Sequence, residues 1–233
     1  CENEHYLGKG FYNEFGIDYA LGFDEAPIGG WFHKIGVGLL KKEDSPYHIS
    51  KAYAVKPAAF KITSKVNTLL IHCTSEIING YGYILKKEVE LKDGTFTIAY
   101  DLKNTGEKPI ITDEYVHNFT AITNEHIGND YILKFPFQLK PALFEETVNP
   151  EQKVAIGETD IKFKAGPSVP FFFSNLSGDE MVAAHWELIH LQSKIGISET
   201  GRFKTNKVNV WGAQHVICPE LFFKIALKPG EST

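Results

Sequence analysis

Along most of the chain, apolar and polar residues alternate singly and do not recur at helical spacing. In TFTIAYDL (95 to 102), Phe96, Ile98, Tyr100 and Leu102 share one parity; in ELFFKIAL (220 to 227), Leu221, Phe223, Ile225 and Leu227 do the same. Successive strand side chains point to opposite faces, so this pattern is that of half-buried β-strands. Similar runs predict strands at 34–40, 58–64, 68–76, 82–91, 114–122, 131–137, 160–165, 181–189 and 207–212. The turn-forming pieces KDG, NTGEK, SGDE and KPGE punctuate them at short intervals, as in antiparallel β architecture. Only KPALFEETVNPEQ (140 to 152) has room for a helical turn, and its prolines keep that short. With no Pro/Ser linker, internal repeat or low-complexity tract, residues 1–233 read as a single all-β domain. It would be a large antiparallel β-sandwich, bigger than an immunoglobulin module.

Composition narrows the partners. Hydrophobic residues at 43% and charged residues at 23% are ordinary for a globular protein, and no apolar run approaches the roughly 18 residues of a membrane span. The formal net charge is −5 with both signs mixed along the chain, which leaves no basic stripe for nucleic acid. Of the 24 lysines and arginines only Arg202 is an arginine, so phosphorylated ligands would meet point charges without a planar fork. Cys1, Cys73 and Cys218 are odd in number and lack CxxC spacing, against both a disulfide framework and a zinc knuckle. The expected location is cytoplasmic, or the cell envelope as a lipoprotein if Cys1 is the native mature N-terminus.

Nine histidines invite a metal, yet none falls in HxH or HExxH, and His185 and His190 would point to opposite faces of a strand. No GxSxG elbow occurs, and the glycines of IGGWFHKIGVG are not followed by a helix that could hold phosphate. Acid–base chemistry remains. The run EYVHNFTAI sets His117 and Asn118 inside a strand, where an imidazole is most often a hydrogen-bonded core residue. Glu220 follows Cys218 and Pro219 at the mouth of an apolar strand. Partial desolvation there would raise its pKa and suit it to accept a proton, unless it is simply a solvated turn glutamate. Trp211 offers either a flat face for stacking on a sugar or a core ring.

Four stretches, in order, resemble the aldose 1-epimerase (galactose mutarotase) superfamily, and in particular its less characterised bacterial mutarotase-like branch. They are GFYNEFGI, GGWFHKIGVGLLKK, NTGEKPIITDEYVHNFTAI with GNDYILKFPF, and VWGAQHVICPELFFKIALKPGE. The resemblance implies a β-supersandwich with an open cleft on one sheet, a free sugar as ligand, and neither cofactor nor metal. It implies that His117, matching the histidine of a TNHxYFN-like strand, protonates the ring oxygen, and that Glu220 takes the proton of the anomeric hydroxyl. The two would then face each other with a sugar ring between them. The rate would fall at low pH as Glu220 protonates and at high pH as His117 loses its proton.

Lys34 stands where the family carries an arginine in a GRxxNR-like segment. With Asn118, Trp211 and the carboxylate of Glu187 in HWELIH it makes up the expected substrate-binding set. The family's first active-site histidine has at most His33 or His48 as a counterpart, and the strands that usually flank such a chain imply missing residues at one or both ends. Two functions follow: an isomerase interconverting the α and β anomers of a free sugar, or a catalytically silent carbohydrate-binding protein on the same scaffold. Lys34 in place of arginine favours the second, and the shortage of arginine disfavours a phosphosugar epimerase. No feature of the sequence specifies an oligomeric state.

Overall fold

Strands supply nearly all the regular structure, as the alternation requires. The computed structural model describes residues 10–17, 20–49, 51–122 and 126–233, so Cys1 lies outside the described residues. After β1 (Gly10–Phe15), strands β2 (Trp31–Lys34), β3 (Gly38–Lys41) and β4 (Val55–Pro57) form a three-stranded sheet. Strands β5 (Ala59–Ser64), β6 (Thr68–Thr74), β7 (Tyr83–Lys92) and β8 (Thr95–Asn104) form an antiparallel meander, and β9 (Ile110–Phe119) follows. Next come β10 (Tyr131–Lys134), β11 (Thr147–Val148), β12 (Val154–Ile156), β13 (Asp160–Phe163) and β14 (Phe171–Phe173). The series ends with β15 (Val182–His190), β16 (Ile195–Thr205), β17 (Val208–Ala213), β18 (Val216–Leu221) and β19 (Phe223–Leu227). The segment that had room for a helical turn holds a 3-10 turn at Pro141–Leu143. Among the described residues no helix is long and apolar enough to cross a membrane.

The described residues form two compact units, one from those up to Glu14 with those of Tyr115–Phe223, the other from those of Phe15–Glu114 with Lys224–Thr233. In the first, the sheet β12-β13-β10-β15-β16 and the sheet β11-β14-β17-β18 share one core. Leu133, Ile161, Trp186 and Leu188 meet Phe171, Phe173, Val210 and Ile217 there, all almost fully buried. Each such large side chain contributes about 1.5–3 kcal/mol by leaving water. In the second unit, Phe32 is ringed edge-on by Phe23, Tyr47 and Tyr53. The β5–β8 meander there has one apolar face, buried at Cys73, Leu85 and Leu102 but open at its far end. Phe60, Ile62, Leu91 and Phe96 are 48%, 63%, 57% and 41% exposed at that end.

Two predicted strands break where the backbone has local reasons to turn. The run 34–40 splits into the arms of a hairpin, β2 and β3, because Gly36 and Gly38 take φ of 79° and 145° and Lys34 pairs back onto Gly38. The run 220–227 breaks at Phe222, which is buried next to Leu221 and therefore interrupts the alternation. The strand predicted at 131–137 stops at Lys134, ahead of Pro136. Strand β16 escaped the pattern because IGISETGRFKT is largely polar: it is an edge strand, exposed over most of its length.

Gly212 sits opposite Phe171 on β14, and a methyl group there would run into the Phe171 ring. That ring is buried, so it cannot swing aside. Gly212→Ala is therefore expected to destabilise the protein by about 1–3 kcal/mol through overpacking. Urea unfolding monitored by tryptophan fluorescence would measure this as a lower midpoint at unchanged slope.

Candidate active site

His117 and Glu220 are brought together by the meeting of β9 with β18. Thr120 and Ile217 form an antiparallel bridge, Thr120 N–H to Ile217 O at 3.0 Å and Ile217 N–H to Thr120 O at 2.9 Å. Continued from there, the register sets Asn118 opposite Pro219 and His117 opposite Glu220, as a cross-strand pair whose side chains share one face. Proline has no N–H to continue the ladder, and it is tolerated because β18 is the outer strand of its sheet. The Asn118 side chain joins the strands instead, its Nδ2 donating to Pro219 O at 2.6 Å. His117 Nε2 then lies 3.6 Å from Glu220 Oε1.

That distance corrects the expectation of a sugar ring between the two groups. It is also longer than a hydrogen bond. Nor does the histidine match the bland reading of an imidazole tied to backbone, since among the described residues its Nδ1 has no hydrogen-bond partner. The His117 ring instead stacks flat on Phe119, with centroids 4.2 Å apart and planes 3° apart. Trp211, half-buried on β17, stands edge-on to both His117 and Phe119, and Tyr12 meets Phe119 edge-on while remaining 54% exposed. The sheet itself separates these rings from the core. Trp211, Asn209 and Glu220 project from one face of the β17–β18 pair, while Val208, Val210 and Ile217 project from the other into the core.

Burial governs the charges. Glu220 is 3% exposed, and desolvation pushes its carboxyl up to about 8 against the opposing effects of the Asn209 hydrogen bond and the positive charge of Lys207. Burial also holds the His117 imidazole below its ordinary 6.5, with the nearby charge of Glu14 opposing. At neutral pH the pair is thus a protonated carboxyl beside a neutral imidazole. Full separation of charge in so dry a place would be penalised.

Two glutamates that the sequence did not single out bear on this site. Glu14 on β1 acts on both His117 and Glu220 through its charge. Glu199 on β16 is half-buried, its carboxyl pushed up by desolvation, and accepts hydrogen bonds at 2.8 Å from both Trp186 Nε1 and Asn118 Nδ2. The signal for Glu199 was the parity of β16, where Ile197, Glu199 and Phe203 share a face, but a charged residue on a polar strand reads as solvated. Glu187 does not join this group: it lies on the face of β15 opposite Trp186, away from the Glu199–Asn118 contact. Lys34 belongs to the other unit, where it is 9% exposed and its Nζ donates to Phe15 O at 2.9 Å. His33, also there, is 1% exposed, its Nε2 3.0 Å from Tyr81 O. Among the described residues no three His, Cys, Asp or Glu side chains are grouped to hold a metal ion.

The fold is that of galactose mutarotase-like proteins. A solved galactose mutarotase-like protein from Lactobacillus casei superposes with a TM-score of 0.58 at 12% identity, covering 96% of this chain and 82% of its own. A galactose mutarotase related enzyme from Lactobacillus acidophilus gives 0.58 at 10% identity, over 96% of this chain and 79% of that one. A galactose mutarotase-like protein from Clostridium acetobutylicum gives 0.52 at 11%, over 98% and 78%. No family model matches the sequence, and no curated protein does.

The raised Glu220 pKa makes stability depend on pH with a definite sign. Its folded value, about 8, lies above its ordinary 4.5, so the native state holds the proton more tightly than the unfolded chain does. The associated stability is complete below pH 4.5 and is lost as pH rises through about 8. Glu220→Gln, which cannot ionise, should therefore melt close to wild type near pH 4.5 and above it at pH 9, by on the order of a few kcal/mol. Thermal melts by circular dichroism at the two pH values would show it, and a Gln variant that gains nothing at pH 9 would contradict the buried, protonated carboxyl.

Proposed function

We propose that the protein is an aldose 1-epimerase-like isomerase, interconverting the α and β anomers of a free sugar by acid–base ring opening. The observation that carries the reading is the approach of His117 Nε2 to within 3.6 Å of Glu220 Oε1 on a face walled by Phe119, Trp211 and Tyr12. Mutarotation moves two protons, one onto the ring oxygen and one off the anomeric hydroxyl. Both oxygens hang on the same carbon, so the acid and the base serve them from neighbouring positions and need no ring's width between them. The apolar face of a pyranose would lie on the aromatic wall.

In the neutral range this pair holds one proton between two groups, which is the state the reaction needs. One group gives its proton to the ring oxygen while the other takes the hydroxyl proton; the C1–C2 bond rotates, and closure runs the same transfers in reverse. No cofactor or metal enters these steps. Burial reverses which residue sets which limb of the pH profile. The acid limb comes from protonation of His117, and the alkaline limb from loss of the Glu220 proton.

Saturation-exchange NMR on an aldohexose panel tests the reading. At least one sugar should exchange its anomers faster than in buffer, with a rate that rises to a plateau from below pH 6.5 and falls above about 8. His117→Gln and Glu220→Gln should each lower it by about 10²–10⁴-fold, and the double variant should be little worse than either. Binding of a sugar with exchange left at the buffer rate would make the protein a silent carbohydrate-binding module.

A further inference from the structure

We infer that Glu199 is a positioning residue for the His117–Glu220 pair, acting through Asn118; this rests on the proposed isomerase reading of that pair. A half-buried carboxyl whose surroundings push its pKa up, held beside two N–H donors, is a costly group to keep. Its place in the hydrogen-bond chain explains what it does. Trp186, fully buried on β15, holds Glu199 Oε2 through its indole N–H at 2.8 Å, and the same oxygen receives Asn118 Nδ2 at 2.8 Å.

The Asn118 amide nitrogen also faces Val116 O at 3.0 Å and Pro219 O at 2.6 Å. The nitrogen faces three acceptors, and a flip would turn the amide oxygen towards all of them. The observed orientation ties β9 to the Pro219 carbonyl of β18, at the residue that has no N–H to donate across the strands. His117 precedes Asn118 and Glu220 follows Pro219, so the amide lies one residue from each member of the pair. If Glu199 were lost, the amide would keep its two backbone acceptors but lose the side chain that holds it towards β16, and the strands would be free to shift where the proton transfers occur. A shift of about 1 Å at such a pair is enough to lower turnover about 100-fold.

Glu199→Leu keeps the volume and removes the acceptor, Asn118→Ala cuts the same link one residue closer to the pair, and Glu199→Gln keeps an acceptor oxygen without the charge. Each is read by anomer-exchange kinetics and by NMR titration of the His117 ring. Glu199→Leu and Asn118→Ala should each lower kcat by about 10- to 100-fold with KM within about threefold. They should also bring the His117 titration back up towards its ordinary range as water reaches the loosened pair. Glu199→Gln should restore both properties, and Glu199→Leu should add nothing in an Asn118→Ala background. A Glu199→Leu protein with either readout unchanged overturns the inference, as does a Glu199→Gln protein as impaired as Glu199→Leu, which would make charge and not position the point. Wild-type protein that exchanges no anomers removes the isomerase reading alone, because the His117 titration still reports whether Glu199 positions the ring.

Discussion

The hydrogen bond from the Asn118 amide to the Pro219 carbonyl fixes the register in which β9 meets β18. A proline in an edge strand cannot donate a backbone N–H across to its neighbour, so the ladder stops there. The asparagine opposite ties the strands with its side chain, through the proline's own carbonyl, and the tie is specific: a slip of one residue would turn His117 to the other face. Two residues about a hundred positions apart thus become cross-strand neighbours through one bridge at Thr120 and Ile217 and one amide beyond it.

The electrostatic character of the site follows from the same packing. Strand β18 is buried at every residue, so a carboxyl on it has little water to ionise into. Asn209 and Lys207 soften that without reversing it. Glu14 acts on His117 and Glu220 at once, favouring a proton on each, so its charge moves the interval over which the pair holds one proton to higher pH. The aromatic rings around His117 supply surface and exclude water, but they donate nothing to its Nδ1.

The sheet-forming half of this structure was legible in single alternation, because a half-buried strand imposes period two directly on residue choice. Phe96 to Leu102 show the limit of that signal: all four share a face, yet burial runs from 41% exposed at Phe96 to 1% at Leu102, since parity says which face and not how deep. Breaks were less legible. Gly36 and Gly38 marked the hairpin only in hindsight, because glycine in a strand-like run also signals a bulge or a close approach. The pairing of His117 with Glu220 was suggested by resemblance and needed a register to become geometry. Glu199 was legible only in the parity of β16, not in its role, which depends on Trp186 and Asn118, 13 and 81 positions away along the chain.

The open end of the β5–β8 meander has a practical side. Phe60, Ile62, Leu91 and Phe96 form an apolar surface on one face of a sheet whose outer strand, β5, pairs on one side alone among the described residues. Such a surface is expected to take up hydrophobic dyes before the chain melts, so a dye-based thermal scan would begin from a high baseline. It also places the handling risk in one unit. Sulfate and similar excluded salts, which strengthen apolar contact, would drive these faces together at concentrations that leave most globular proteins dispersed.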